Sequence, residues 1–375
     1  HRLNFYFLRL FSIECLNVFS RSSNNRSLEN DPQHTKNVER IKHSQIPIPA
    51  PRTTMPHSTS ASTRLFDAYL FIDWSANNRP KRGKDSIWIA EGSWASDKVS
   101  SHRQKDDFVL NQTTNVSTRG EATEELHERL TSHLDEDHRT LICFDFSYGF
   151  PSGPFRDSIG KNFNAIGDRL TALISDNARN ENNRFEVASQ LNEEIGRVTQ
   201  HSPFWGRPST VNDKVSSNLS QKKPAFWSQT NPQEYRIVEQ RMRASGKRVF
   251  SAWQLLGHGS VGSQMLVGIP HLNSLRNSES LHAHSKIWPF DTGWTNEFDS
   301  VTKIVHAEFW PGILPTSPST HSIRDAAQVE NAVHWASRLD ERGQLAPLFD
   351  PMSQEDPDRN EAQDEGWILG FTCRR

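Results

Sequence analysis

Two aspartates each close a continuous apolar run: Tyr69-Leu70-Phe71-Ile72 leads into Asp73, and Thr140-Leu141-Ile142-Cys143-Phe144 leads into Asp145. Such runs read as central strands covered on both faces. Each carboxylate is therefore expected at the carboxyl end of a buried strand, where open α/β sheets place their sites. Two carboxylates on neighbouring strand ends repel, and they stay ionised only if a cation or hydrogen-bond donors hold them. That makes Mg2+ or Mn2+ the expected cofactor. The competing structural reading is that each Asp caps its own following turn through the amides near Ser75 or Ser147.

Other polar residues are candidates of a second kind. Gly257-His258-Gly259-Ser260-Val261-Gly262 has GxGxxG spacing ahead of an apolar helix, and such a loop can cradle phosphate with its amides. No strand leads into it, so a glycine-rich helix start competes with the phosphate reading at Gly259 and Ser260. Asn182-Asn183-Arg184-Phe185-Glu186, Phe204-Trp205-Gly206 and the pair Glu234 and Arg236 mix amide, aromatic and guanidinium groups. Arg184, Trp205 and Arg236 thus suit base stacking and phosphate binding; a loop-rich insertion that buries its own aromatics explains them equally. Glu308 ends a further apolar strand. Asp325 lies three residues after Ser322, a spacing that a capping box explains.

The elements needed to hold these residues can be read from the patterning. Three strands come first, at Tyr69–Ile72, Ser86–Trp94 and Asp107–Leu110, and imply an antiparallel meander. A helix follows from Thr118 and Glu121, with Ala122, Leu126, Leu130 and Leu134 on one face, and it ends near Asp137. The strand into Asp145 then returns parallel to the first. Helices are expected over Phe163–Ser175, Arg184–Gly196, Pro232–Ala244 and Val261–Arg276, forming a helical insertion at about residues 152–285. Strand character returns at Ile287–Phe290 and Val301–Phe309, and a last helix starts at Ser322.

Composition narrows the function classes. With 375 residues and a formal net charge of -2, the chain is neither a basic nucleic-acid scaffold nor an acidic tail protein, so any nucleic-acid contact is local. Three scattered cysteines exclude a disulfide framework and a zinc site, and point to a reducing cytoplasm. No apolar run is long enough for a membrane span. His1–Phe19 carries apolar residues interrupted by Arg2, Arg9 and Glu14, residues 20–64 are dominated by Ser, Thr, Asn, Pro and basic residues, and residues 1–64 are expected to be disordered. Met55 is the first methionine and is taken as the native start, with the preceding residues as translated upstream sequence.

The segments FIDWSA (71–76), CFDFSYGFP (143–151), HAEFWP (306–311) and IRDAAQVENA (323–332) resemble the Holliday-junction-resolvase-like predicted nucleases of RNase H-like type, and most of all a bacterial branch of uncharacterised activity. Trp310 stands where that branch carries a tyrosine, and its doubled Asp before the last helix is reduced to Asp325. The resemblance implies an α/β fold over residues 65–375: an RNase H-like mixed five-stranded sheet flanked by helices, with a helical insertion before the fifth strand. It also implies that Asp73, Asp145, Glu308 and Asp325 converge as catalytic metal ligands of a metal-dependent nuclease or related phosphodiester hydrolase, with Ser75 beside them. A nucleotide-binding phosphotransferase or ATPase of the same fold is the second reading. A non-catalytic interaction protein, or one associated with molybdopterin or cobalamin biosynthesis, is the third. The partners expected are nucleic acid or nucleotide.

Overall fold

The computed structural model describes residues 64–95, 107–227, 232–314 and 321–372, all within one compact unit. The expectations of disorder over residues 1–64 and of a start at Met55 lie outside them, apart from Arg64. Six strands form one mixed sheet in the order β3-β2-β1-β4-β6-β5. They are β1 (Ala68–Asp73), β2 (Ile87–Trp94), β3 (Phe108–Val116), β4 (Thr140–Phe144), β5 (Ser285–Ile287) and β6 (Ile304–Glu308). The expected antiparallel meander is β1-β2-β3, and β4 and β6 continue the sheet parallel to β1.

The sheet has six strands where five were expected, because Ser285–Ile287 pairs parallel to the outer side of β6. The chain then turns at Trp288, so the segment expected as strand up to Phe290 is mostly turn.

Nine helices pack around the sheet among the described residues: α1 (Arg119–Asp135), α2 (Pro154–Ile159), α3 (Phe163–Leu173), α4 (Arg184–Thr199), α5 (Asp213–Asn218), α6 (Ile237–Ala244), α7 (Val261–Arg276), α8 (Arg324–Glu341) and α9 (Arg359–Glu365). The two-residue period of β1 divides its side chains between two cores. Leu70, Ile72 and Trp74 pack with α1, α3, α4 and α7, whereas Tyr69 and Phe71 pack with α6, α8 and α9. Strand β4 repeats this, with Ile142 and Phe144 on the first face and Leu141 and Cys143 on the second. Burying a large apolar side chain contributes about 1.5–3 kcal/mol. A strand loaded on both faces is thus committed to the centre of the sheet, and its first polar residue marks where the cover ends. No helix among the described residues is long and apolar enough to cross a membrane.

Candidate active site

Ile72 and Phe144 face each other in the parallel register of β1 and β4, so Asp73 and Asp145 are the next residues along on adjacent strands. They share parity with Phe71 and Cys143 and therefore lie on the face covered by α8. The two carboxyl groups come within hydrogen-bonding reach of each other. Burial raises the Asp73 pKa well above the ordinary carboxylate range, and Asp145, Asp325 and Asp85 push it in the same direction. Burial also lifts Asp145, to about 7, although the Trp74 N–H donates to its Oδ1 at 2.7 Å and favours the charged form. The capping expectation is thus met across strands: Asp145 caps the turn after β1 rather than its own.

Asp325 joins them from the first turn of α8. The expected capping box with Ser322 does not form, because the helix begins one residue after Ile323, which offers no side-chain cap. The Asp325 carboxylate instead accepts the Asp85 N–H at 2.6 Å through Oδ2. Asp85, which sequence reasoning missed, lies in the β1–β2 loop with φ at 53°, an unfavourable region for a residue with a side chain. The same loop is tied down by Asn77 Nδ2 donating to the Asp85 carbonyl at 2.6 Å. Buried Arg119 adds Nη1 bonds to the Ser75 and Asn77 carbonyls at 2.9 and 2.8 Å and an ion pair with Asp176. Nothing in the polar stretch Asn77–Asp85 marks these residues in advance, since Arg119 and Asp325, which hold them, lie 42 and 240 positions away.

Two open clefts meet at Asp73, Asp85 and Asp325. One, of about 450 Å³, runs past Ser75, Asn78 and Arg184 to Gly259, Ser260 and Gln264. The other, of about 700 Å³, reaches Asp145, Lys84, Trp310 and Arg324. The structure thus brings Asp73, Asp145, Asp325, Ser75, Arg184, Gly259 and Ser260 to a common region. The glycines of the GxGxxG stretch have packing reasons. Gly259 has φ +80° and a Cβ there would sit 2.2 Å from the Phe250 ring, while one on Gly262 would sit 2.3 Å from the Ala252 carbonyl oxygen.

Glu308 and Arg236 depart from expectation. Glu308 stands opposite Phe144 in the β4–β6 register, and although it lines a small pocket together with Asp145, its carboxylate is already engaged. It accepts from Arg236 Nη2 at 2.6 Å, Arg236 Nη1 at 2.7 Å and the Tyr148 N–H at 2.9 Å. Arg236 is fully buried, and its other carboxylate partner is Glu239 at 2.9 Å. Burial opposes its charge, but Glu239 and Glu308 outweigh burial and raise its pKa. This triad binds α6 to β6, and both residues are consumed by it. The Trp205 backbone is held in the fold: its backbone N–H donates to the Trp253 carbonyl at 3.0 Å and its carbonyl accepts from the Leu255 N–H at 2.9 Å. Near the end of the sheet, Lys303 pairs with Asp137 at 2.7 Å and His306 is buried inside the sheet.

Among the described residues, no three His, Cys, Asp or Glu side chains group closely enough to hold a metal ion by themselves. The donor set is a carboxylate pair with two further acids beside it. No known protein family, curated protein or solved structure matches this chain.

Proposed function

We propose that the chain is a metal-dependent phosphodiester hydrolase, a nuclease of RNase H-like type. The observation that carries this reading is the meeting of Asp73 and Asp145 at adjacent parallel strand ends, on the rim of two open polar clefts. The strand order supports it: an antiparallel β1-β2-β3 meander is followed by β4 and β6 parallel to β1, as the RNase H-like reading expects, with β5 an addition at the edge.

The donors suit a hard divalent cation. Mg2+ is commonly held by one or two carboxylates and completes its shell with water and substrate phosphate oxygens, so a protein cage of three or more ligands is not required. Asp73 and Asp145 would hold it, with Asp325 adjacent. Such an ion supplies an activated water and neutralises the leaving oxygen. The chain's own residues set the stage. Trp74 fixes one Asp145 oxygen through its amide, and the Asp85 amide aims Asp325. The raised pKa of the aspartate pair means that a proton competes with the cation, so activity should climb as pH rises through about 7.

Asp73→Asn and Asp145→Asn should each abolish Mg2+- or Mn2+-dependent cleavage of oligonucleotides. Cleavage at the wild-type rate by either variant defeats the proposal.

A further inference from the structure

Five arginines are buried among the described residues: Arg119, Arg156, Arg184, Arg236 and Arg359. Four have a carboxylate partner: Arg119 meets Asp176, Arg156 meets Asp157, Arg236 meets Glu239 and Glu308, and Arg359 meets Asp350. Arg184, only 7% exposed, has none among the described residues. Its Nε donates to Ser263 Oγ at 3.0 Å, its Nη1 donates to the amide oxygens of Asn78 and Asn182, and the guanidinium lies 4.4 Å from the Phe185 ring centroid. Every one of these partners is neutral, and Nη2 has no hydrogen bond to any of the described residues.

Burial and the neighbouring Arg119 lower the Arg184 pKa to about 10, with Asp176 and Glu186 opposing from longer range, so the group is still charged at neutral pH. A buried charge with no counter-charge is an arrangement that folds avoid unless a ligand supplies one.

Arg184 forms part of the wall of the smaller cleft, whose other end holds Asp73 and Asp325. We propose that Arg184 anchors a phosphate-binding subsite in this cleft, holding the substrate phosphate next to the one positioned over Asp73 and Asp145. The unmatched Arg184 guanidinium is independent of the proposed hydrolase activity, on which the placement of the scissile group over the aspartates rests.

Phosphate fits for three reasons. A guanidinium offers directed N–H donors matched to phosphate oxygens. The acids at the far end of the cleft repel an anion, which confines it to the Arg184 end. The amino end of α7 also contributes favourable partial charge, since Ser260 and Ser263 line the same wall. The amides of Gly262 and Ser263 already donate to the Gln254 and Ser260 carbonyls, so the guanidinium rather than an amide cradle supplies the contact.

The test is calorimetric titration of the full chain with inorganic phosphate in the presence of EDTA. Wild-type protein should bind, and Arg184→Gln should lose at least tenfold in affinity. Because Arg184 ties together three segments, Asn78→Asp provides a second variant that keeps the fold: it places a carboxylate where Nη1 already meets an amide oxygen. It should raise the thermal midpoint and also lose at least tenfold in phosphate affinity. Asp73→Asn should bind phosphate at least as tightly as wild type. No phosphate binding by wild type, unchanged affinity in folded Arg184→Gln or in Asn78→Asp, or acetate binding as tight as phosphate, overturns the subsite. If Asp73→Asn still cleaves oligonucleotides while Asn78→Asp loses phosphate, the hydrolase reading falls and the subsite stands.

Discussion

Replacing Asp145 by Asn keeps the size of the side chain and an oxygen for the Trp74 amide, but removes the charge that this position accommodates poorly. In the fold its pKa is lifted by burial from 3.8 to about 7, so the native state keeps a proton that the unfolded chain releases. A tenfold change in proton affinity is worth about 1.36 kcal/mol, which places the penalty on the metal-free fold at roughly 4 kcal/mol at pH 7, shared with Asp73. Between about pH 4 and pH 7 the native state binds more protons than the unfolded one, so this pair makes wild-type stability fall as pH rises. Asp145→Asn should therefore be more stable than wild type by about 2 to 4 kcal/mol at pH 7 in EDTA. The gap should shrink toward zero near pH 4 and level off above pH 7. Urea unfolding of both proteins across this range measures it, and titrating groups other than the coupled Asp73 cancel in the difference. Excess Mg2+ should stabilise wild type and not the variant. An Asp145→Asn protein no more stable than wild type at pH 7, or a gap independent of pH, would refute the claim that burial disfavours a charge at this position.

Two further predictions concern the frame. His306 lies fully buried in β6, neither ring nitrogen bonds to any of the described residues, and burial lowers its pKa to about 3. Below the ordinary value of 6.5 only the unfolded chain takes up this proton, so stability should fall by up to about 5 kcal/mol from pH 6.5 to 3. His306→Leu should flatten that slope in urea titrations at successive pH values. Arg236→Met leaves Glu239 and Glu308 buried without their cation and should lower unfolding free energy by about 3–5 kcal/mol; a loss below about 1 kcal/mol would show that the triad does not hold α6 to β6.

Much of the frame is legible along the chain because it depends on local periodicity. The apolar runs of β1 and β4 announce strands covered on both faces, and each run breaks at the aspartate that emerges on the rim. The apolar stretch bounded by Val261 and Arg276 becomes α7 with those same limits. These signals arise from burial, which a strand or helix needs wherever its neighbours come from.

The site itself is only half legible. Glu308 ends an apolar strand as convincingly as Asp145 and lines a small pocket with it, yet its carboxylate is taken up by Arg236. Asp85 carries no pattern at all and reaches the site through its N–H, which donates to Asp325, and its carbonyl, which accepts from Asn77. Arg184 and Arg236 look alike as sequence, but one meets two carboxylates and the other only amides and a hydroxyl. Residue type and spacing thus determined the strands, the main helices and the two aspartates. Tertiary structure decided which charges are matched, because Coulombic energy depends on distance and burial in space, and strand register and loop closure set both.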